Sequence, residues 1–97
     1  MTIQSLDGTY ELEAQGEKVK LKPLKGGLNF KRAIGAEAFQ DALEGEATTV
    51  KGASADVFAT VSLDVDKILV TLRFPNTPMN EVPFDKDDVE LMLLEKD

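Results

Sequence analysis

From Val57 to Phe74 the chain alternates, and that period-two pattern restricts the fold more than any other feature. Val57, Ala59, Val61, Leu63 and Val65 share one face of an extended segment over 56–66, while Thr60, Ser62 and Asp64 take the other. Ile68, Val70, Leu72 and Phe74 answer from 67–74. Successive side chains of a strand point to opposite faces, so such a segment must lie with one face on a core and one in solvent. A turn on Asp66-Lys67 predicts Val65 opposite Ile68, Leu63 opposite Val70 and Val61 opposite Leu72. Thr60 then faces Arg73 and Ser62 faces Thr71 on the polar side.

A second hairpin precedes it. Thr9–Ala14 and Lys18–Lys22 both alternate around Gln15-Gly16. A two-residue turn there predicts Glu13 opposite Lys18 and Glu11 opposite Lys20, with Leu12 meeting Val19 and Tyr10 meeting Leu21. Lys25-Gly26-Gly27 breaks the chain. Residues 28–35 suit a strand through Leu28, Phe30 and Ile34, or a helix through Phe30, Ala33 and Ile34. Ala38, Phe39, Ala42 and Leu43 then fall on one face of a short helix. Glu37, Gln40, Asp41 and Glu44 lie opposite, and Gly45 is the expected C-terminal cap. Residues 47–51 are β-branched and predict a strand. Three prolines in 75–83 predict a loop. Val89–Leu94 is expected to close the chain as a strand with Val89, Leu91 and Leu93 inward, a helix capped by Asp85 being the competing reading.

The sum is one α+β domain over 1–97: a mostly antiparallel sheet of five or six strands with one short helix packed on one face. A 97-residue chain buries roughly two-thirds of the surface it exposes when unfolded, so one modest core is feasible. The N-terminus has no basic start followed by an apolar stretch, and apolar runs are far too short for a membrane span. The expected location is the cytoplasm, with no membrane contact.

Composition weighs against chemistry. There is no histidine, cysteine or tryptophan, which removes most side chains used in nucleophilic, redox and transition-metal chemistry near neutral pH. Asp64 with Asp66, and Asp85 with Asp87 and Asp88, flank expected turns, where carboxylates are ordinary solvated residues. Asp85–Glu90 begins like a calcium loop, but Glu90 stands where glycine is needed and Lys96 where the bidentate glutamate belongs. Lys25-Gly26-Gly27 lacks phosphate-loop spacing. Gly52-Ala53-Ser54-Ala55-Asp56 departs from a nucleophile elbow at Asp56. Neither an enzyme nor a cofactor or metal site is expected.

The charges are segregated. The net charge is −7, yet residues 18–32 carry six basic residues and no acid. Acids dominate 37–66 and 81–97. With Lys18 and Lys20 paired across the hairpin, Lys22, Lys25, Lys31 and Arg32 remain as a basic cluster for an acidic partner. The chain's overall acidity and the lack of aromatic stacking positions argue against nucleic acid. Pro75-Asn76-Thr77-Pro78-Met79 is the second candidate contact, a PxxP loop. Its plainer reading is a simple connection with Met79 and Phe84 tucked beneath.

The expected function is therefore a non-enzymatic protein–protein interaction module: a small inhibitor, adaptor or assembly subunit. The alternative is a small-ligand-binding domain with a pocket between helix and sheet near Tyr10, Phe30 and Phe39. A C-terminal edge strand at 89–94 would need cover, which a homodimer would supply, or would rely on Asp87, Asp88, Glu95 and Asp97 as guards against aggregation.

Overall fold

The computed structural model describes residues 2–25 and 27–95. Gly26 of the expected chain break, and Lys96 and Asp97, lie outside the described residues. The element order is β1 (Thr2–Gln4), β2 (Tyr10–Gln15), β3 (Lys18–Pro23), β4 (Ile34–Gly35), α1 (Ala36–Leu43), β5 (Thr48–Lys51), β6 (Phe58–Asp64), β7 (Lys67–Arg73), β8 (Asn80–Asp85) and α2 (Lys86–Leu94). The class is α+β with antiparallel pairing. Among the described residues the strands form two four-stranded sheets, β1-β2-β3-β4 and β5-β6-β7-β8, rather than one sheet of five or six, and there are two helices rather than one.

Both hairpins keep their expected faces and shift their register by two. The first turns on Gly16-Glu17, pairing Ala14 with Val19, Glu13 with Lys20 and Leu12 with Leu21. Gly16 sits at φ +64°, the first turn position where glycine escapes the Cβ penalty. The second turns on Val65-Asp66, pairing Leu63 with Ile68, Val61 with Val70 and Thr60 with Thr71. Val65 leaves the core face altogether: it is 88 % exposed at φ +56°, an uncommon conformation for a β-branched residue.

The C-terminal strand does not form. Residues 86–94 are helical, and the Asp85 carboxylate accepts the Asp88 N–H at 3.3 Å. Asp87 and Asp88 in the first turn favour the positive end of the helix dipole. Val89, Met92 and Leu93 face the core at helical spacing, and Leu91 is turned outward. The segment therefore presents no strand edge, and the edge-strand dimer loses its basis.

The proline-rich loop is shorter than expected. Its last four residues begin β8, an edge strand in which Pro83 stands opposite Leu69. The Leu6 N–H donates to the Pro83 carbonyl at 2.8 Å. Pro83 thus turns its backbone away from β7, and its missing N–H removes nothing from the ladder. The same bond joins the rim of the first sheet to that of the second.

Helix α1 begins at Gly35 without a side-chain cap; the Ala36 N–H is satisfied instead by the Glu17 carbonyl at 2.9 Å. Gly45, at φ +90°, closes it as expected. The Gly45 N–H reaches the Ala42 carbonyl and the Glu46 N–H the Asp41 carbonyl, the two bonds of a Schellman ending. Buried side chains from both sheets and both helices form one hydrophobic cluster, including Leu12, Ile34, Phe39, Val61, Phe84 and Met92. No helix among the described residues is long and apolar enough to cross a membrane.

Candidate functional site

Residues 28–33 form neither the strand nor the helix that the pattern over 28–35 allows; among the described residues of that stretch, only Ile34 and Gly35 pair with β3. Tyr10 is what holds this loop. Its hydroxyl donates to the Leu28 carbonyl and accepts from the Leu28 N–H, each at 2.8 Å. The Leu24 N–H donates to the Thr9 carbonyl at 2.8 Å. A Cβ at Gly27 would stand 2.9 Å from both the Thr9 carbonyl oxygen and the Tyr10 ring, so only glycine lets the chain pass this close. Phe30 is buried and plugs the loop into the core. Burial raises the Tyr10 hydroxyl pKa above its ordinary value; the Leu28 backbone bond opposes that, and the Asp7 charge adds to it.

Of the expected basic cluster, Lys25, Lys31 and Arg32 lie exposed on this anchored loop. Lys22 does not join them as a free cation. The register places it opposite Glu11, and its ammonium pairs with Glu13 at 3.0 Å. That is the one ion pair among the described residues. The lysine and a hydrogen bond from Gln15 hold the Glu13 carboxyl below its usual range. Lys18 and Lys20 stand opposite Gln15 and Glu13 rather than Glu13 and Glu11, a consequence of the shifted turn.

The proline loop connects β7 to β8, and Pro75, Asn76, Thr77, Pro78 and Met79 are all exposed. Met79 is 60 % exposed rather than tucked beneath, while Phe84 is fully buried. Asn76 takes φ +61°, which asparagine tolerates better than most residues. The Thr77 hydroxyl donates to the Phe74 carbonyl at 3.2 Å. Pro75–Pro78, with Phe74, Arg73 and Asp56, line an open depression of about 390 Å³. The Arg73 guanidinium sits 5.9 Å from the centre of the Phe58 ring, within range of a cation–π contact. Sequence reasoning missed Arg73 and Asp56 as neighbours of this loop. The available signal was pairing: Phe58 is directly opposite Arg73, once the turn is placed at Val65-Asp66.

A second depression of about 250 Å³ lies between Glu17, Ala36, Glu37 and Gln40. Tyr10, Phe30 and Phe39, around which a ligand pocket was expected, line neither hollow. Each is at most 2 % exposed and belongs to the core. Among the described residues no three carboxylates gather where they could hold a metal ion. The tightest polar constellation is the β1–β2 turn. Asp7 Oδ1 accepts from the Ser5 hydroxyl at 2.6 Å, from the Thr9 hydroxyl at 2.7 Å and from the Thr9 N–H at 3.1 Å. Every donor in it is thereby satisfied within the turn, which makes it a structural knot. In comparisons with known proteins, no family model, no curated protein and no solved structure matches this chain.

Proposed function

We propose that the chain is a non-enzymatic protein-binding module and that the 75–79 loop is its contact region. The observation carrying this reading is the loop's composition together with its exposure. Met79 and two prolines project into solvent, the prolines lining one depression with Arg73, whose guanidinium sits over Phe58, on a segment whose backbone is already restrained. Exposed apolar and aromatic groups flanked by arginine are favoured at protein interfaces. Prolines and the Thr77–Phe74 bond reduce the ordering entropy that docking would cost.

A photo-crosslinking residue at position 79, compared with one at the sheet position Thr71, tests this in the cells that make the protein. The expected result is a discrete adduct from position 79, lost when Arg73→Ala is added. Equal labelling at both positions, or none, refutes the contact region.

A further inference from the structure

We infer that two copies of this chain dock head to tail, the basic loop of one receiving the outer stripe of α2 of the other. This rests on reading the chain as a protein-binding module, but on surfaces separate from the proline loop.

The two surfaces complement each other in charge and in apolar exposure. The receiving surface is formed by residues 24–25 and 27–33. Leu24 and Leu28 are 37 % and 48 % exposed, and Lys25, Lys31 and Arg32 are exposed on the same segment. None of the three cations has an acidic partner within 4.0 Å among the described residues. Asp7, at the same end of the first sheet, has its Oδ1 taken up by Ser5 and Thr9. The loop does not collapse over its leucines because Tyr10 and Gly27 fix its backbone against β2.

The docking element is α2. Its inner face spends Val89, Met92 and Leu93 on the core. The opposite stripe, at i, i+3, i+4 and i+7, is Asp87, Glu90, Leu91 and Leu94. Leu91 is 48 % and Leu94 78 % exposed, flanked by acids. A helix showing two leucines and two acids along one stripe fits a loop showing two leucines and three cations. The segments concerned carry opposite net charge: residues 24–33 sum to +3 and residues 86–95 to −3. Because the patches differ, the contact is heterologous: in a pair, one copy keeps its helix stripe free and the other its loop. Such an interface belongs to the small, weak class and depends on ionic strength.

Sedimentation velocity over a concentration series, in low and high salt, reads the contact. The expected result is concentration-dependent association of the wild type at low salt that weakens as salt rises. K31E/R32E and E90K/E95K each lower association about tenfold or more, through like-charge contact at the interface. An equimolar mixture of the two regains it, because acid then meets base at both junctions. All four positions are exposed, and circular dichroism of each variant verifies the fold. A wild type monomeric throughout overturns the inference, as does association indifferent to both reversals or a mixture that stays monomeric. Those failures leave the proline-loop contact standing, since crosslinking at position 79 reads a different surface.

Discussion

Tyr10→Phe is the sharpest perturbation this fold offers, because one hydroxyl satisfies both backbone groups of Leu28, at 2.8 Å each. Phenylalanine keeps the buried ring and removes only those bonds. A typical hydrogen bond contributes about 0.5–1.5 kcal/mol net, and an abandoned buried partner costs about 1–3 kcal/mol. Leu28 is 48 % exposed, so water can re-pair part of what is lost. The expected destabilisation is therefore about 2 kcal/mol. With a urea dependence of about 1–3 kcal/mol per molar, the unfolding midpoint falls by roughly 1 M. Hydrogen exchange gives the local test: the Leu28 amide exchanges faster in the variant even under fully native conditions. An unchanged midpoint with unchanged Leu28 exchange would falsify the clamp. Burial of the same hydroxyl, against the opposing pull of the Leu28 bond, predicts alkaline behaviour. The folded hydroxyl titrates above its ordinary value of 10.0, so the folded state holds its proton more tightly than the unfolded chain. This contribution is complete below the unfolded value and is lost as pH rises through the folded one; the Phe variant lacks that part of the alkaline loss.

Two further predictions concern the turns. Val65→Gly raises stability by about 0.5–1 kcal/mol: the left-handed conformation costs an L-residue about 1–2 kcal/mol, and glycine's greater freedom when unfolded returns part of that gain. Val65 is 88 % exposed, so little burial is lost; a lower midpoint for Val65→Gly than for Val65→Ala would contradict the strain at this turn. Asp7 governs the acid limb: burial pushes its carboxyl up, but bonds from Ser5 and Thr9 outweigh that and hold it below its ordinary value of 3.8. Its contribution is therefore present above that value and lost as pH falls through the folded one. Asp7→Asn should flatten the loss of stability below about pH 4, and an acid limb parallel to the wild type's would rule the knot out as its source.

The division between what the residues announce and what they leave open follows from the range of each interaction. Alternation in Tyr10–Leu21 and Ala59–Leu72 sorted buried from exposed faces correctly within the strands but not at Val65, which the turn carries into solvent, because the side-chain period is set by the strand itself. It could not set the register. A shift of two leaves every face unchanged, and the choice fell to turn geometry: Gly16 supplied the positive φ in one hairpin, while Val65 had to bear it in the other. Capping was equally local, and Gly45 ended α1 where its conformational freedom allows.

The last segment shows the opposite case. Val89–Leu94 reads apolar at both periods, so both a strand and a helix bury part of it. Asp85 supplied a cap, but the space against α1, β1, β7 and β8 accepts Val89, Met92 and Leu93 together. Exposure of Leu24, Leu28 and Met79 was illegible for the same reason: whether a loop residue is covered depends on residues distant in sequence, such as Tyr10 holding Leu28.

By itself, then, the sequence determined an antiparallel α+β chain, the inner face of each hairpin, the first helix with its glycine ending, and the segregation of charge. All of these arise from dihedral preferences and periodicities that act over a few residues. Tertiary structure alone decided that the strands divide into two sheets joined through Leu6 and Pro83. It likewise decided that residues 86–94 form a helix, that Lys22 belongs to Glu13, and which leucines stay in water. Those outcomes depend on which surfaces meet, and a strand's own pattern specifies that it needs a partner without specifying which.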